Sequence, residues 1–489
     1  MIDVDVRQAD LTPNSAVAWY LAAAQQEGVE NVFLLESLSG PVADTRSSMV
    51  GVTGLLEVVI YCGTVEMTGR AAVVDAARRA LVEEGVIVDQ EGRDVLAESD
   101  SLWQLGRTLS RVFSFERNSE GYDFGLRAFF GYDAVRYIER LPRTIRDADR
   151  PLPDAAFSLI RALFSVDPVT EQTTVSIAEC ELWPHLDLEG ICTNLGGADA
   201  ARQFDEQPGR VPRPTSVRDE LTRDEYIDKA AVCLRHIEHG DIFQIQLGHE
   251  MVIQSEARPI EVYRRLRWRN PSPYMCLVPL PGSTTVGASP ELFVRTTGRE
   301  AVMRPIAGTA RIAARDDDDK VIRDLQLNEK ERAEHIMLVD LCRNDLGRVA
   351  EPQSINVDEL MKVESYSHLH HLVSNVRATM APDVDVFDAI RAGFPAGTMT
   401  GAPKVRAMEI IETLEESRRG LYAGAFGVIG FGGWSVLALG IRMAVHTAGE
   451  YRIRASAGIV SDSMPEAEWR ETLTKMAVTY WSVTGDELI

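Results

Sequence analysis

Two carboxylate pairs stand out for the chemistry their spacing allows. Glu331 and Glu334 lie three residues apart in LNEKERAEHIMLVDL, a run of strong helix formers, so both project from neighbouring positions on one helix face. Glu468 and Glu471 repeat the spacing in MPEAEWRETLTKMAVTYW, with Lys475 one turn further on. If the two helices face each other, four carboxylates converge on a hard cation, and Mg²⁺ holding waters and a substrate oxygen suits such a donor set. The competing reading is a solvated helix face, with Glu471 and Lys475 as a plain i,i+4 ion pair.

The segment SYSHLHHLVSNV brings His368, His370 and His371 together. A zinc site, a general acid/base histidine and ordinary packing all compete there. No Cys, Asp or Glu at ligand spacing accompanies the histidines, which disfavours structural zinc. In an extended segment His371 shares a face with Leu369 and Val373, while His368 and His370 share the other, so the histidines have different roles.

Glycine-rich FPAGTMTGAPK (394–404) leads into the helical run VRAMEIIETLEE. Its backbone N–H groups and the following helix N-terminus could face an anion, or the loop could be a packing turn. It is not a P-loop, and no dinucleotide fingerprint is present. Arg442, in ALGIRMAV, is an isolated cation in an apolar segment. Burial there demands an anionic partner, either a substrate carboxylate or an internal carboxylate.

These residues need a scaffold, and the composition permits a large one. The 489 residues suggest about two or three domains at roughly 150 each, and 45% hydrophobic with 26% charged residues is the balance of a globular protein. Lys plus Arg at 51 against Asp plus Glu at 74 leaves a net charge of −23, which disfavours nucleic acid as a partner. An anionic metabolite binds only where local cations override that field. Six scattered cysteines without metal spacing read as reduced core residues. The acidic N-terminus lacks the flank of a secretory signal, so a cytoplasmic location is expected. The uncharged stretch from Leu421 to Ile441 is broken by six glycines, and Gly432-Gly433 suits a turn between two strands, so a buried hairpin is expected rather than a membrane span.

Strand-like runs at Val32 to Leu35, Leu56 to Cys62, Ala156 to Phe164 and Thr174 to Cys180 alternate with helical stretches at Ala71 to Glu84 and Leu102 to Phe113. The pattern indicates a mixed α/β (α+β) fold. Polar, Gly- and Pro-containing text between Leu195 and Arg218 suggests a boundary near residue 210, dividing an N-terminal region (1–210) from a second domain (211–489). Thr222 and Glu225 then form a capping box opening a helix whose apolar face runs Tyr226, Ala230, Cys233, Leu234 and Ile237, ending at Gly240. The acidic run Asp316 to Asp319 reads as a solvated helix start.

In order along the second half, RPIAGTARI, AEHIMLVDLCRNDLGRVA, YSHLHHLVS, FPAGTMTGAPK, RRGLYAGAFG and ASAGIVSDSMPEAEWRET resemble the chorismate-utilising enzymes, specifically the large subunit (component I) of anthranilate synthase. The first half matches more thinly, through FLLES (33–37) and FFGYDAVRYIE (129–139). The resemblance implies two packed, antiparallel-rich β-sheets flanked by helices, binding chorismate and Mg²⁺. It further implies Glu334 and Glu471 as direct metal ligands, with Glu331 and Glu468 supporting through water. Tyr422 and Arg442 match the pair that holds the enolpyruvyl carboxylate, and Gly458 N–H with Lys475, beside Ala457, matches the grip on the ring carboxylate. Glu291 in GASPELF and His371 match the residues placed near the C4 hydroxyl, with Thr309 of PIAGT counted among the catalytic set.

The same resemblance bears on the reaction. Family branches that add water carry a lysine where GDIFQIQLG has Gln244, and an amide cannot deprotonate water, which favours ammonia as nucleophile. Many 4-amino-4-deoxychorismate synthases carry a nucleophilic Lys where this chain has Ala307, so attack at C2 is favoured. No cysteine sits in a GxCxG context, so ammonia is expected from a separate glutamine amidotransferase subunit, or from free ammonium. Leu35, Glu36 and Ser37 with Pro273, Tyr274 and Met275 resemble the tryptophan-binding feedback site. Departures from the family pattern at Ala310 and Arg311, at Gly248, His249 and Glu250, and at Ser456 put the product in question. Anthranilate is the leading expectation. 2-Amino-2-deoxyisochorismate, formed without pyruvate loss, and 4-amino-4-deoxychorismate are the rivals, and a silent ligand-binding homologue is the non-enzymatic alternative. Membrane association is not expected, and an oligomer is compatible with the sequence.

Overall fold

A computed structural model describes residues 1–489 except 42–43, 45–46, 118–120, 146–151, 196–203, 205, 313–314 and 366–368; the side chains of 309, 311 and 315–317 are also outside the described set. His368, the Thr309 and Arg311 side chains, and those of Asp316 and Asp317 therefore lie beyond it, as does much of the polar stretch before residue 210.

Two large sheets dominate. Among the described residues one has thirteen strands and the other twelve, and every pairing within them is antiparallel. In the thirteen-stranded sheet, Ile306–Arg311 pairs with Leu369–Thr379, and the order continues through Leu292–Thr297, Ser435–Leu439, Ala425–Gly430 and Gly125–Phe130 to Leu56–Tyr61. The twelve-stranded sheet runs from Ser216–Asp219 through Gln244–Gln254, Glu450–Ile459, Met443–Thr447 and Tyr274–Leu280 to Val32–Glu36 and Asp5–Leu11. Both sheets thus draw strands from either side of residue 210.

Three apolar clusters define the layers. Phe33, Met49, Leu163, Cys276 and Met443 of one sheet meet Val59, Phe129, Leu292, Phe426 and Val428 of the other, forming the inter-sheet core. Helices Ala71–Glu83, Ser101–Val112 and Val386–Gly393 cover the outer face of the thirteen-stranded sheet. Ala16–Glu27, Pro259–Arg269 and Pro465–Thr484 cover the other. A fully buried Phe or Leu in these layers contributes about 1.5–3 kcal/mol. The mixed α/β, two-sheet architecture is therefore as expected.

Local readings fare well where a turn or cap sets the structure. Thr222 and Glu225 form the capping box of helix Arg223–Glu238, with Tyr226, Ala230 and Cys233 fully buried and Leu234 and Ile237 at the margin. Ala425–Gly430 and Ser435–Leu439 form a buried hairpin across Gly432-Gly433. No helix among the described residues is long and apolar enough to cross a membrane. The acidic run falls at the start of helix Arg315–Leu327.

Two readings need correction. Ala156 to Phe164 is not one strand. Ala155–Leu159 belongs to one sheet and Ala162–Val166 to the other. Both strands are buried on both faces, so the apolar text is continuous. Only Arg161 marks the crossing, where it pairs with Glu27 and donates to the Pro184 carbonyl. The cysteines are all unbridged, but only Cys233 and Cys276 are fully buried, while Cys62 and Cys192 are exposed.

Candidate active site

The carboxylate pairs are carried by two helices that the sequence caps firmly. Asn328 accepts from the backbone N–H groups of Lys330 and Glu331, opening Glu329–Gly347, whose His335, Leu338 and Val339 turn inward. Pro465 opens Pro465–Thr484 and Gly485, at φ +82°, closes it. Its buried stripe is Trp469, Thr472, Met476 and Thr479, which leaves Glu468, Glu471 and Lys475 along an adjacent stripe. Lys330 reaches Asp462, 3.0 Å away, joining the starts of the two helices.

The four glutamates face one another electrostatically. Burial raises the pKa of Glu334, and the charges of Glu331 and Glu471 raise it further. Burial also raises Glu331, against Lys330, with Glu471 adding to the shift. Glu468 is raised by burial and by Glu471. Buried carboxylates that also act on one another's charge favour a nearby cation. Glu471 pairs with Lys475 at 2.6 Å, so the i,i+4 reading also holds. Among the described residues no three His, Cys, Asp or Glu side chains are gathered closely enough to hold a metal as they stand.

Beside these helices the strand Ile306–Arg311 carries a bulge. The register shifts between Ala307 and Thr309, and Gly308 takes φ +67°. A Cβ there would meet Glu331 Oε2 at 3.2 Å. The backbone of Thr309 pairs with that of His371. His371 Nδ1–H donates to the Gly308 carbonyl at 2.9 Å, which leaves Nε2 as the unprotonated nitrogen of the neutral ring. Burial pulls its pKa below the ordinary histidine value, and nearby Arg442 adds to this. His370 points elsewhere, between Asp318 and Ser365 at 2.9 Å each, so the two histidines have different surroundings.

Glu291 is the most perturbed acid of the set. Burial pushes its pKa to about 8, against the opposing effects of the Thr398 hydroxyl, Lys475 and Arg442, with Asp44 raising it. Thr398 donates to it at 3.4 Å. A carboxyl with its pKa raised this far can act as a proton donor near neutral pH. Arg442 lies beyond it at φ +55°. Its side chain makes no hydrogen bond or ion pair among the described residues, yet it is desolvated enough to lower its pKa, with Tyr422, Glu471 and Glu291 the charges that oppose this. No described carboxylate pairs directly with Arg442, which favours the anionic-ligand reading over the internal one.

Tyr422 completes a polar chain. Its hydroxyl meets Ser456 Oγ, which donates to Gln246 Oε1 at 2.8 Å. Arg419 packs under the Tyr422 ring with its centre 5.7 Å from the centroid, anchored to Glu415 and to the Gln246 and Met399 carbonyls. Gln244 and Gln246 share a face of Gln244–Gln254, with Gln246 opposite Gly458. A Cβ on Gly458 would meet the two amide nitrogens at 3.1 and 3.0 Å. Gln244 is buried and its Oε1 has no hydrogen-bond partner among the described residues. Lys475 donates to the Ser456 carbonyl at 2.9 Å, beside Ala457 and Gly458. Gln246 and Thr398 were not singled out from the sequence, although period-two alternation from Gln244 selects Gln246.

The glycine-rich loop braces the site. Gly401–Ala402 pairs with Gln244–Ile245, Thr398 holds Glu291, and Lys404 is bound to Asp345. Of the departures noted, Gly248 donates to Glu415, His249 is clamped between Asp219 and Thr472 against the Trp469 ring, and Glu250 pairs with Arg452. His249 thus packs against the helix that bears Glu471, and Ser456 is a departure that lies within the site. The segments Leu35–Ser37 and Pro273–Met275 are also brought together, Met275 opposite Glu36 in the sheet and Ser37 Oγ donating to the Pro273 carbonyl. Glu36 is bound by Tyr263 and Arg267, and Tyr274 by Asp44.

A family model described as chorismate binding enzyme matches residues 71–480. The chain is 44% identical over 491 residues to a 2-amino-4-deoxychorismate synthase of Streptomyces globisporus, covering 100% of this chain and 98% of the relative. It is 42% identical over 390 residues to anthranilate synthase component 1 of Streptomyces coelicolor, covering 77% and 76%. The crystal structure of anthranilate synthase component I from Streptococcus pneumoniae TIGR4 matches with a TM-score of 0.69 at 27% identity, covering 89% of this chain and 92% of that one. The chain belongs to the chorismate-binding enzymes, and within them to the anthranilate synthase component I type.

Proposed function

We propose that this enzyme aminates chorismate at C2 with loss of the C4 oxygen and releases the product with its enolpyruvyl ether intact, a 2-amino-4-deoxychorismate. The observation that carries the reading is the combination of Glu291, a buried carboxyl whose pKa is pushed up to about 8, with Arg442, a desolvated guanidinium that makes no hydrogen bond or ion pair among the described residues. Arg442 and Tyr422 hold the enolpyruvyl carboxylate, and Gly458 N–H with Lys475 holds the ring carboxylate. Glu291 gives its proton to the departing C4 hydroxyl, which leaves as water. Ammonia attacks C2, and the unprotonated His371 Nε2 is the base that accepts a proton from the adduct.

A metal ion belongs to the same proposal. Hard carboxylate oxygens whose pKa values are raised by burial and further by one another's charge fit Mg²⁺. Glu334 and Glu471 would hold it, with Glu331 and Glu468 behind them through water. When bound, the ion supplies charge neutralisation for the ring carboxylate within a molecule of net charge −23.

Gln244 and Ala307 support ammonia as nucleophile and C2 as its target, since neither side chain can activate water or attack the ring. The nucleophile would be supplied by a separate glutamine amidotransferase subunit. Retention of the ether is supported by the full-length likeness to the Streptomyces globisporus enzyme. Ser456 supports it further, because the hydroxyl of Tyr422 is tied back to Ser456 and Gln246, restraining the group that holds the enolpyruvyl carboxylate. The relatives named anthranilate synthase favour the second reading, in which pyruvate is expelled. Incubation with chorismate, ammonium and Mg²⁺ followed by mass analysis separates the two.

A further inference from the structure

We infer that Asp345 and a water in the cavity beside Glu291 form a proton relay that recharges the acid after each turnover. This rests on the reading of Glu291 as the proton donor to the C4 hydroxyl and adds a residue to it. Once Glu291 has given its proton to the leaving group it is a buried carboxylate, and it must be reprotonated before the next cycle. Its known neighbours on the substrate side, Lys475 and Arg442, are cations needed for binding.

The other side of Glu291 opens on a cavity of about 20 Å³ lined by Glu291, Thr398, Cys342 and Asp345 among others. A water needs about 10–15 Å³ of such space and two to four polar partners. The Glu291 and Asp345 carboxyl groups, the Thr398 hydroxyl and the Cys342 thiol supply them. Glu291 and Asp345 lie close enough that both charges act on Cys342. Asp345 is buried, and Lys404 grips both its oxygens at 2.8 and 2.9 Å. The Lys404 side chain retains 13% exposure, so the pair touches both the cavity and the solvent side.

The proton balance is simple. A proton enters from solvent at the Asp345–Lys404 pair and passes to Asp345. The water takes it and gives one of its own protons to the Glu291 carboxylate, forming one O–H bond at Glu291 and breaking one at the water. Asp345, returned to its ionised state beside Lys404, is ready for the next cycle. Asp345 acts through Glu291 and does not touch the substrate.

The test uses three variants and the unmodified enzyme, with ammonium as nitrogen source. Asp345→Asn removes the relay carboxyl, and Cys342→Val fills about one water's share of volume, roughly 30 Å³. Each is expected to lower kcat about tenfold, less than the ~10²–10⁴-fold loss from removing a general acid itself, to raise the solvent deuterium isotope effect, and to leave chorismate binding unchanged. Imidazole buffer, a small proton carrier, should restore Asp345→Asn. The wild-type proton inventory of kcat should be curved. Should Asp345→Asn fail to fold, as thermal melting would show, Cys342→Val and the inventory decide. A folded Cys342→Val with wild-type kcat and isotope effect, together with a linear inventory, overturns the relay, and so does a defect in folded Asp345→Asn that imidazole leaves untouched. Glu291→Gln separates the two claims: wild-type turnover there sinks the acid assignment, whereas an inactive Glu291→Gln beside wild-type behaviour of the other two variants sinks only the relay.

Discussion

His371 donates its Nδ1–H to the carbonyl of Gly308 at 2.9 Å, and Gly308 sits in a left-handed bulge against the carboxylate of Glu331. One backbone residue thus sets the tautomer of His371 and lies against the carboxylate of Glu331. Gly308→Ala should be destabilised by about 1–2 kcal/mol from its φ alone, with a larger proportional loss of kcat as the bulge shifts His371. Thermal melting alongside steady-state kinetics checks this, and a fully active, equally stable variant would refute the linkage.

The pH profile follows from two opposite shifts. Glu291, raised to about 8, donates only while protonated, so activity should fall as pH rises through about 8. His371, lowered below the ordinary histidine value, accepts only while neutral, so the acid limb should lie below that of a free imidazole. A bell with its alkaline limb near 8 is expected in kcat/KM for chorismate. Glu291→Gln should reduce kcat by about 10²–10⁴-fold and erase that limb.

Arg442 is held in a costly state. It is desolvated with no hydrogen bond or ion pair among the described residues, and its φ of +55° is strained for a non-glycine residue. Arg442→Gln should therefore raise the melting temperature or leave it unchanged, while weakening chorismate binding about tenfold to a hundredfold, the range of a lost charge-assisted hydrogen bond of about 1.5–3 kcal/mol. Unaltered affinity in a folded variant would remove the anion-binding role.

Much of this was legible in the sequence because it rests on local rules. The capping box at Thr222, the glycine turn of the 425–439 hairpin and the i,i+3 glutamates are each set by neighbours in the chain. What escaped depends on contacts distant in sequence. The crossing at Arg161 is hidden because strands buried on both faces read as one apolar run. Thr398 gains its role only by lying against Glu291, 107 residues away. The state of Arg442 was undecidable from sequence, since pairing of a buried guanidinium depends on which carboxylates the fold brings near.

Ser456 carries the product question. Ser456→Gly frees the Tyr422 hydroxyl from its tie to Gln246. A coupled assay for pyruvate should show release rising relative to total amination. If the ratio stays constant, the restraint of Tyr422 does not govern the fate of the ether.

Gln244→Lys places an amine where an amide now lies buried against Gly458. With ammonium withheld, this variant should form some hydroxylated product from water while the wild type forms none. Its complete absence in a folded variant would contradict the assignment of Gln244 as the side chain that reserves the site for ammonia.

The most direct test is the mass of the product made from chorismate, ammonium and Mg²⁺ by the purified enzyme. The account predicts chorismate with its hydroxyl exchanged for an amino group, nitrogen on C2, the enolpyruvyl ether present and no free pyruvate. Anthranilate with stoichiometric pyruvate, or nitrogen on C4, would contradict it.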